Sequence, residues 1–314
     1  MNPAKVLIID HFPEAFLQDM QALPVEMTYI PKAPRQQVLQ ELADTHVLIL
    51  NSGIQVDQEV LDAAPHLQIA IRAGVGMDHF DLPALEARGV QWKNTKGGNA
   101  ESVGEQTVGM MLALRHHVVR ADQQVRQFQW VRAANRATEI RNKTIGLIGY
   151  GFTGQAVAQR LSGFGSKVLA YDKYRENYSD AFAEAASLEH IFEEAEILSM
   201  HVPLTNETHH WVGEEFLNRF VRPIHLLNLA RGPVVHLPDL LKSLDNGQVL
   251  GAGLDVLENE KLHTLSEEQR SWYEDLFSRD NVILTPHIGG WSWESLAQIN
   301  EKIVGYVKEW LKHS

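Results

Sequence analysis

The 314-residue chain has no cysteine, which excludes disulfides and thiolate metal sites and fits a reducing compartment. Positive charge is in deficit: 28 Lys and Arg against 40 Asp and Glu give a formal net charge of −12. A nucleic-acid partner, which needs a basic patch, is not expected. Anionic metabolites would have to bind through local donors. No long apolar run is present. The opening MNPAKVLIID carries only a short one, too short for a signal sequence or a membrane span, and it reads as a first strand. The expectation is a cytoplasmic protein with no membrane partner. Low-complexity tracts and Gly/Ser linkers are also missing.

What is there has the composition of a globular protein, 44% hydrophobic and 22% charged, in a chain long for a single core. Short apolar runs alternate with helical patterns. KVLIID (5–10), VEMTYI (25–30), HVLILN (46–51), LQIAIR (67–72) and VQW (90–92) form one strand series. TIGLIG (144–149), SKVLAYD (166–172), AEILSMHVP (195–203), HLLNLA (225–230), VLGAGLDV (249–256) and NVILTPH (281–287) form a second. Apolar strands alternating with helices predict α/β architecture with parallel sheets covered on both faces. A long helical pattern, roughly 100 to 119, separates the two series. The last residues, WSWESLAQINEKIVGYVKEWLKH, form an amphipathic helix expected to return to the first domain.

Strand TIGLIG runs into GYGFTG (149–154), which opens a helical pattern. Gly149 permits a tight turn, Gly151 lets backbone approach a pyrophosphate, and Gly154 lets helix and strand pack closely; Tyr150, Phe152 and Thr153 complete the turn. The motif alone is weak, but a strand precedes it, a helix follows, and the next strand ends in Asp172, placed to hold adenosine ribose hydroxyls. The bland alternative is a glycine turn plus a surface Asp. An acid there favours NAD over NADP, although Lys173 and Arg175 follow it closely.

Three ionisable residues follow strand ends of the second series: Arg231, Glu260 and His287. An Arg at that place grips a carboxylate with two parallel N–H bonds. A His exchanges protons near neutral pH, and a neighbouring carboxylate fixes its tautomer and stabilises the imidazolium. Singly, the three read equally well as a loop cap, a solvated face and a structural histidine. Together, beside a dinucleotide motif, they point to an enzyme. The adjacent pairs His116-His117 and His209-His210 would diverge on a helix, and there is no HExxH, so no metal site is expected.

The sequence resembles the D-2-hydroxyacid dehydrogenases, most closely their phosphoglycerate dehydrogenase branch. The likeness runs nearly end to end, through RAGVGMDHFDL (72–82), NTKGGNAESVGEQTVGMMLAL (94–114), GLIGYGFTG, HVPLTNET (201–208), LNLARGPVV (227–235), GAGLDVLENE (251–260) and LTPHIGG (284–290). It implies two doubly wound parallel-sheet domains, a Rossmann NAD-binding domain (99–288) inserted into a flavodoxin-like substrate domain (1–98 and 289–314). It assigns substrate binding to Arg231 and a coupled acid/base pair to Glu260 and His287. It implies that Val75 and Gly76 offer N–H groups to a substrate carboxylate, with Ser52 nearby. Thr107, His201, Val202, Pro203, Thr208, Ala230, Asp255 and Gly289 are implied to line the cofactor, Asp255 at the carboxamide. A homodimer, with an arm around Trp130, is implied as well.

The expected activity is reversible hydride transfer between NAD(H) and a D-2-hydroxy or 2-oxo acid. 3-Phosphoglycerate is the first candidate; glyoxylate, hydroxypyruvate and bulkier 2-oxo acids stand behind it. A non-catalytic, NAD(H)-sensing interaction protein like the co-repressors of this fold is the alternative. Departures from the family pattern are Lys261 where Pro is common, a long acidic segment at 261–286, Asn51 where a phosphate-binding Arg is common, and Trp291 and Trp293, expected to pack the last helix.

Overall fold

The β-branched runs of the N-terminal third become five parallel strands: β1 (Ala4–Ile9), β2 (Val25–Ile30), β3 (Val47–Leu50), β4 (Ile69–Arg72) and β5 (Gln91–Asn94). Their order is β2-β1-β3-β4-β5, the doubly wound order of flavodoxin-like sheets. VLIL of β3 is buried at every position, as expected of a strand covered on both faces. Helices α1 (Glu14–Gln21), α2 (Arg35–Glu41), α3 (Gln58–Ala63) and α4 (Leu82–Ala87) connect the strands. The computed structural model describes residues 3–313.

The chain forms two units, Met1–Asn99 with Trp293–Ser314, and Ala100–Ser292. The second contains α5 (Ala100–Arg115), α6 (Val118–Arg126), β6 (Thr144–Ile148), α7 (Phe152–Leu161), β7 (Lys167–Tyr171), β8 (Glu184–Ala185), α8 (Leu188–Glu194), β9 (Ile197–Met200) and α9 (Glu214–Leu217). It continues with β10 (Ile224–Asn228), α10 (Leu237–Asp245), β11 (Val249–Leu254), α11 (Glu267–Ser278) and β12 (Val282–Leu284). All seven strands are parallel, in the order β12-β11-β10-β9-β6-β7-β8. The order reverses between β6 and β9, which is where dinucleotides bind in such sheets. The two-residue strand β8 is too short to leave a periodic signal.

The terminal helix α12 (Trp293–Leu311) belongs to the first unit. Ile299, Ile303, Val304, Val307 and Trp310 recur at helical spacing and pack with Phe16, Leu17 and Met20 of α1. Complete burial of side chains such as Ile303 and Val307 stabilises by roughly 1.5–3 kcal/mol each, which ties the two ends of the chain into one core.

The pattern over 100–119 resolves into two helices. The chain turns at His117, whose φ of 52° is left-handed. A Cβ at Gly104 of α5 would stand 3.1 Å from the backbone of Ala156 in α7, so a small residue allows these helices to pack closely. Trp291 and Trp293 correct the sequence reading: they are 66% and 84% exposed, and neither is packed into the core. The long segment 261–286 contains α11, started by a reciprocal cap between Ser266 and Gln269 and anchored by buried Tyr273 and Leu276, and the edge strand β12.

Candidate active site

Within the second unit, His287 and Glu260 meet. His287 Nδ1 lies 2.9 Å from Glu260 Oε1 and 3.0 Å from Oε2, so the carboxylate fixes the tautomer and leaves Nε2 as the nitrogen facing away from it. The His287 backbone is left-handed, with φ 55°, an arrangement costing an L-residue roughly 1–2 kcal/mol. Asp255, buried at the end of β11, offsets that cost. Its carboxylate accepts from Ile288 N–H at 2.9 Å, Gly289 N–H at 2.8 Å and the Thr285 hydroxyl, while its carbonyl accepts from His287 N–H at 2.7 Å. Bonds to a carboxylate contribute roughly 1.5–3 kcal/mol each, so the clamp outweighs the strain. Gly289 is further held by Ser102 of α5, whose hydroxyl donates to its carbonyl at 2.7 Å.

Glu260 is placed from the other side. The buried Tyr273 hydroxyl accepts from Asn259 N–H at 2.8 Å and donates to Asn259 O at 3.2 Å. Lys261 N–H donates to Asn259 Oδ1 at 3.0 Å, a bond that Pro at this position could not make. The segment 261–286 therefore supports the loop that carries the carboxylate.

Arg231 stands at the mouth of β10, half-buried, with Nη1 donating to Ala230 O at 2.7 Å. Buried Asn228 shapes the turn: its Nδ2 donates to Arg231 O at 2.9 Å and its Oδ1 accepts from Ala230 N–H at 3.1 Å. At the next residue, a Cβ on Gly232 would fall 1.8 Å from Leu257 O. The Arg231 loop and the loop leading to Glu260 therefore touch backbone to backbone, and only glycine fits.

The glycine turn fits a dinucleotide. Gly149 has φ 95°, and a Cβ there would meet His201 O at 2.6 Å. A Cβ on Gly154 would meet Gly149 O at 2.2 Å. Gly151, by contrast, faces open space and begins α7 with no side-chain cap, leaving the first-turn N–H groups to an anion. Asp172 Oδ2 accepts from Tyr150 N–H at 2.9 Å, which fixes the carboxylate beside the turn. The buried His201 ring sets Nε2 2.9 Å from Ser199 Oγ, and its Nδ1 has no partner among the described residues. Burial pushes this imidazole down to about 4, so it is neutral at physiological pH.

Other sequence-assigned residues have structural duties. The Thr107 hydroxyl is buried and donates to Val103 O at 2.7 Å within α5, so it has no donor to spare for a ligand. The Tyr150 ring is fully buried with its hydroxyl on Asp180. Thr208 closes the loop after Pro203 through Pro203 O at 2.6 Å. Phe152 at the turn is 60% exposed, and Ala230 is buried. Thr153 lies in the first turn of α7, and Val202, the residue after His201, is partly buried. His209 and His210 do not diverge: the chain is left-handed at His210, and their rings lie 3.9 Å apart in a loop.

In the first unit, Asn94 Nδ2 holds Val75 O at 2.7 Å and Thr95 N–H holds Gly74 O at 3.0 Å. The N–H groups of Val75 and Gly76 have no acceptor among the described residues, a pair suited to a carboxylate. At the ends of β1 and β3, Asp10 Oδ2 accepts from Asn51, Ser52 and Gly53 N–H at 2.7, 3.0 and 3.0 Å. The Asn51 side chain accepts from Arg72. The apolar context of the sequence gave no sign of this arrangement.

The Asp255 clamp has a direct test. Asp255→Asn keeps the shape but turns one acceptor into a donor facing N–H groups. Turnover at saturating substrate should fall more than tenfold, as in other losses of catalytic positioning, with a lowered thermal midpoint; unchanged turnover would remove the clamp from the catalytic geometry.

Residues 108–289 match the family model described as D-isomer specific 2-hydroxyacid dehydrogenase, NAD binding domain. A glyoxylate reductase of Thermofilum pendens is 37% identical over 277 residues, covering 85% of this chain and 78% of that protein. A hydroxypyruvate reductase of Thermotoga maritima is 33% identical over 288 residues, covering 92% and 91%. The crystal structure of a D-lactate dehydrogenase from Aquifex aeolicus, complexed with NAD and lactic acid, superposes with a TM-score of 0.86 at 29% identity, covering 98% and 96%. With the glycine turn, the Asp172 carboxylate and the His287–Glu260 pair in one unit, the chain belongs to the D-isomer specific 2-hydroxyacid dehydrogenase family.

Proposed function

We propose that the protein is an NAD-dependent D-2-hydroxyacid dehydrogenase that reduces small, unphosphorylated 2-oxo acids such as glyoxylate and hydroxypyruvate. The observation that carries the reading is the His287–Glu260 pair at 2.9 Å in the same unit as the dinucleotide turn. Bound NAD(H) supplies the hydride acceptor or donor. Arg231 binds the substrate carboxylate and polarises its carbonyl oxygen. His287 donates a proton from Nε2 to that oxygen in reduction and removes it in oxidation. Glu260 holds the ring through Nδ1 and stabilises its positive charge. Such acid/base help is typically worth about 10²–10⁴-fold, and positioning supplies much of the rest.

The substrate class rests on the loop after β3. Three N–H groups of that loop are occupied by Asp10, Asn51 is itself uncharged, and the nearby Arg72 guanidinium is engaged by the Asn51 side chain and Ala73 O. A phosphoryl group would meet an internal carboxylate there, whereas a hydrogen or hydroxymethyl substituent would not. The names of the similar reductases agree with this choice.

NADH oxidation across glyoxylate, hydroxypyruvate, pyruvate and phosphohydroxypyruvate tests the reading. Highest kcat/KM on glyoxylate or hydroxypyruvate is expected; preference for phosphohydroxypyruvate overturns the substrate class. NADH binding without turnover on any of them points to an interaction protein instead. Arg231→Lys should lower kcat/KM on the best substrate by about 10²-fold or more, because an ammonium cannot reproduce the bidentate fork.

We also propose a homodimer formed by the second unit. Val118, Val125, Phe128 and Trp130 on α6 and the following arm are 50% to 100% exposed. In the same unit, Leu114, Val119, Phe277, Val282 and Leu284 line a groove beside α6 together with the polar side chains of Arg120, Gln123, Arg279 and Asp280. A run of exposed apolar side chains on a helix and its following arm, beside a groove of mixed polarity, suits a two-fold pairing of copies. Light scattering should give twice the chain mass, and Phe128→Ala with Trp130→Ala should give monomers; a monomeric wild type would end this proposal.

A further inference from the structure

The segment after Asp172 contains two cations, Lys173 and Arg175, either of which could receive the 2′-phosphate of NADP. Both are engaged. Arg175 donates to Tyr150 O, and its guanidinium lies 6.0 Å and 5.7 Å from the ring centroids of Tyr150 and Tyr178. Lys173 Nζ is paired at 2.7 Å with Glu207, which comes from the loop after β9. Tyr174 joins the same assembly: its N–H donates to Asp172 Oδ1 at 3.0 Å, and its hydroxyl donates to Glu207 Oε2 at 2.8 Å. One residue thus spans two carboxylates, the first adjoining the glycine turn and the second holding the nearest lysine. The hydrogen bond from Lys173 also keeps Glu207 below the usual carboxylate range.

We propose that Glu207 is a second specificity-determining carboxylate, which withholds Lys173 from a 2′-phosphate and adds negative charge beside Asp172, so that the protein selects 2′-hydroxyl over 2′-phosphorylated dinucleotides. The inference rests on the reading that the Asp172 end receives the adenosine ribose. Asp172 alone repels a 2′-phosphate, but a lysine one residue away can neutralise it. Glu207 closes that escape. The Lys173–Glu207 pair is half-exposed and adds little to stability. Its effect on a bound phosphate is different: removing a unit charge about 4 Å from one phosphate charge in water changes an equilibrium roughly fivefold, and releasing Lys173 adds a comparable factor.

The probes are adenosine 5′-monophosphate and adenosine 2′,5′-bisphosphate, titrated calorimetrically into the full-length protein, with NADH and NADPH titrated by fluorescence. These readouts need no 2-oxo acid and no turnover. Glu207→Gln should shift the ratio of bisphosphate to monophosphate affinity by about 5- to 20-fold toward the bisphosphate. The NADPH to NADH affinity ratio should move in the same direction. Asp172→Asn should shift both ratios independently, and adding Lys173→Ala to Glu207→Gln should return most of the gain. A ratio that Glu207→Gln leaves within twofold of wild type, alone and in the Asp172→Asn background, overturns the proposal while leaving the cofactor site intact. If wild type binds neither the monophosphate nor NADH, the ribose reading fails, and the proposal with it.

Discussion

His287, the proposed proton carrier of this protein, is held by a carboxylate it never touches with its ring. Asp255 is buried at the end of β11, and its carboxylate receives donors from Thr285, Ile288 and Gly289, the residues on either side of the left-handed His287. A buried carboxylate without partners would be costly; with three donors it becomes a rigid anchor. The neighbouring crossing is equally tight, because Gly232 lies directly under the Leu257 carbonyl. The ends of β10 and β11, which carry Arg231 and lead to Glu260, can therefore shift only together.

This anchoring from behind is necessary because the pair in front cannot supply it. The His287 and Glu260 side chains are each 46% exposed. Exposed ion pairs contribute roughly 0–1 kcal/mol, too little to hold two loops in register against side-chain entropy. The geometry at 2.9 Å must be imposed by the backbone on both sides. Asp255 does so for the imidazole, and the Tyr273 hydroxyl, bonded to both backbone groups of Asn259, does so for the carboxylate. The acidic helix α11 thereby acquires a reason: it delivers Tyr273, buried, under the Glu260 loop.

Much of this was legible in the sequence. Apolar strands alternating with helical periods gave both sheets, the glycine spacing gave the dinucleotide turn, and an Arg interrupting LLNLA marked the mouth of β10. These features declare themselves because they break or repeat a local pattern. The supports did not. Asp10, Asp255 and Tyr273 act across 14 to 43 residues or through backbone groups that no side-chain pattern reports, as Asp10 does on Gly53, Asp255 on Thr285 and Tyr273 on Asn259. The break at His117 and the ring contact of His209 with His210 depend on positive φ at residues other than glycine, which sequence does not advertise. Trp291 and Trp293 misled because large aromatics usually pack, whereas here they stay exposed.

A chain with a net charge of −12 that recognises anions must do so by local donors, and the structure shows how the acidic side chains permit it. Acidic residues at the binding ends of the strands are spent on N–H groups or cations of the chain itself: Asp10 on three amides, Asp255 on two, Asp172 on Tyr150 and Tyr174, Glu207 on Lys173. What remains for ligands is the set left unmatched, the uncapped first turn of α7 and the amides of Val75 and Gly76. Coulomb attraction at a distance, screened within about 10 Å at ordinary salt, cannot choose between a carboxylate and a phosphate. A fixed set of donors can, because each amide already filled by an internal carboxylate is one that a second phosphate cannot use.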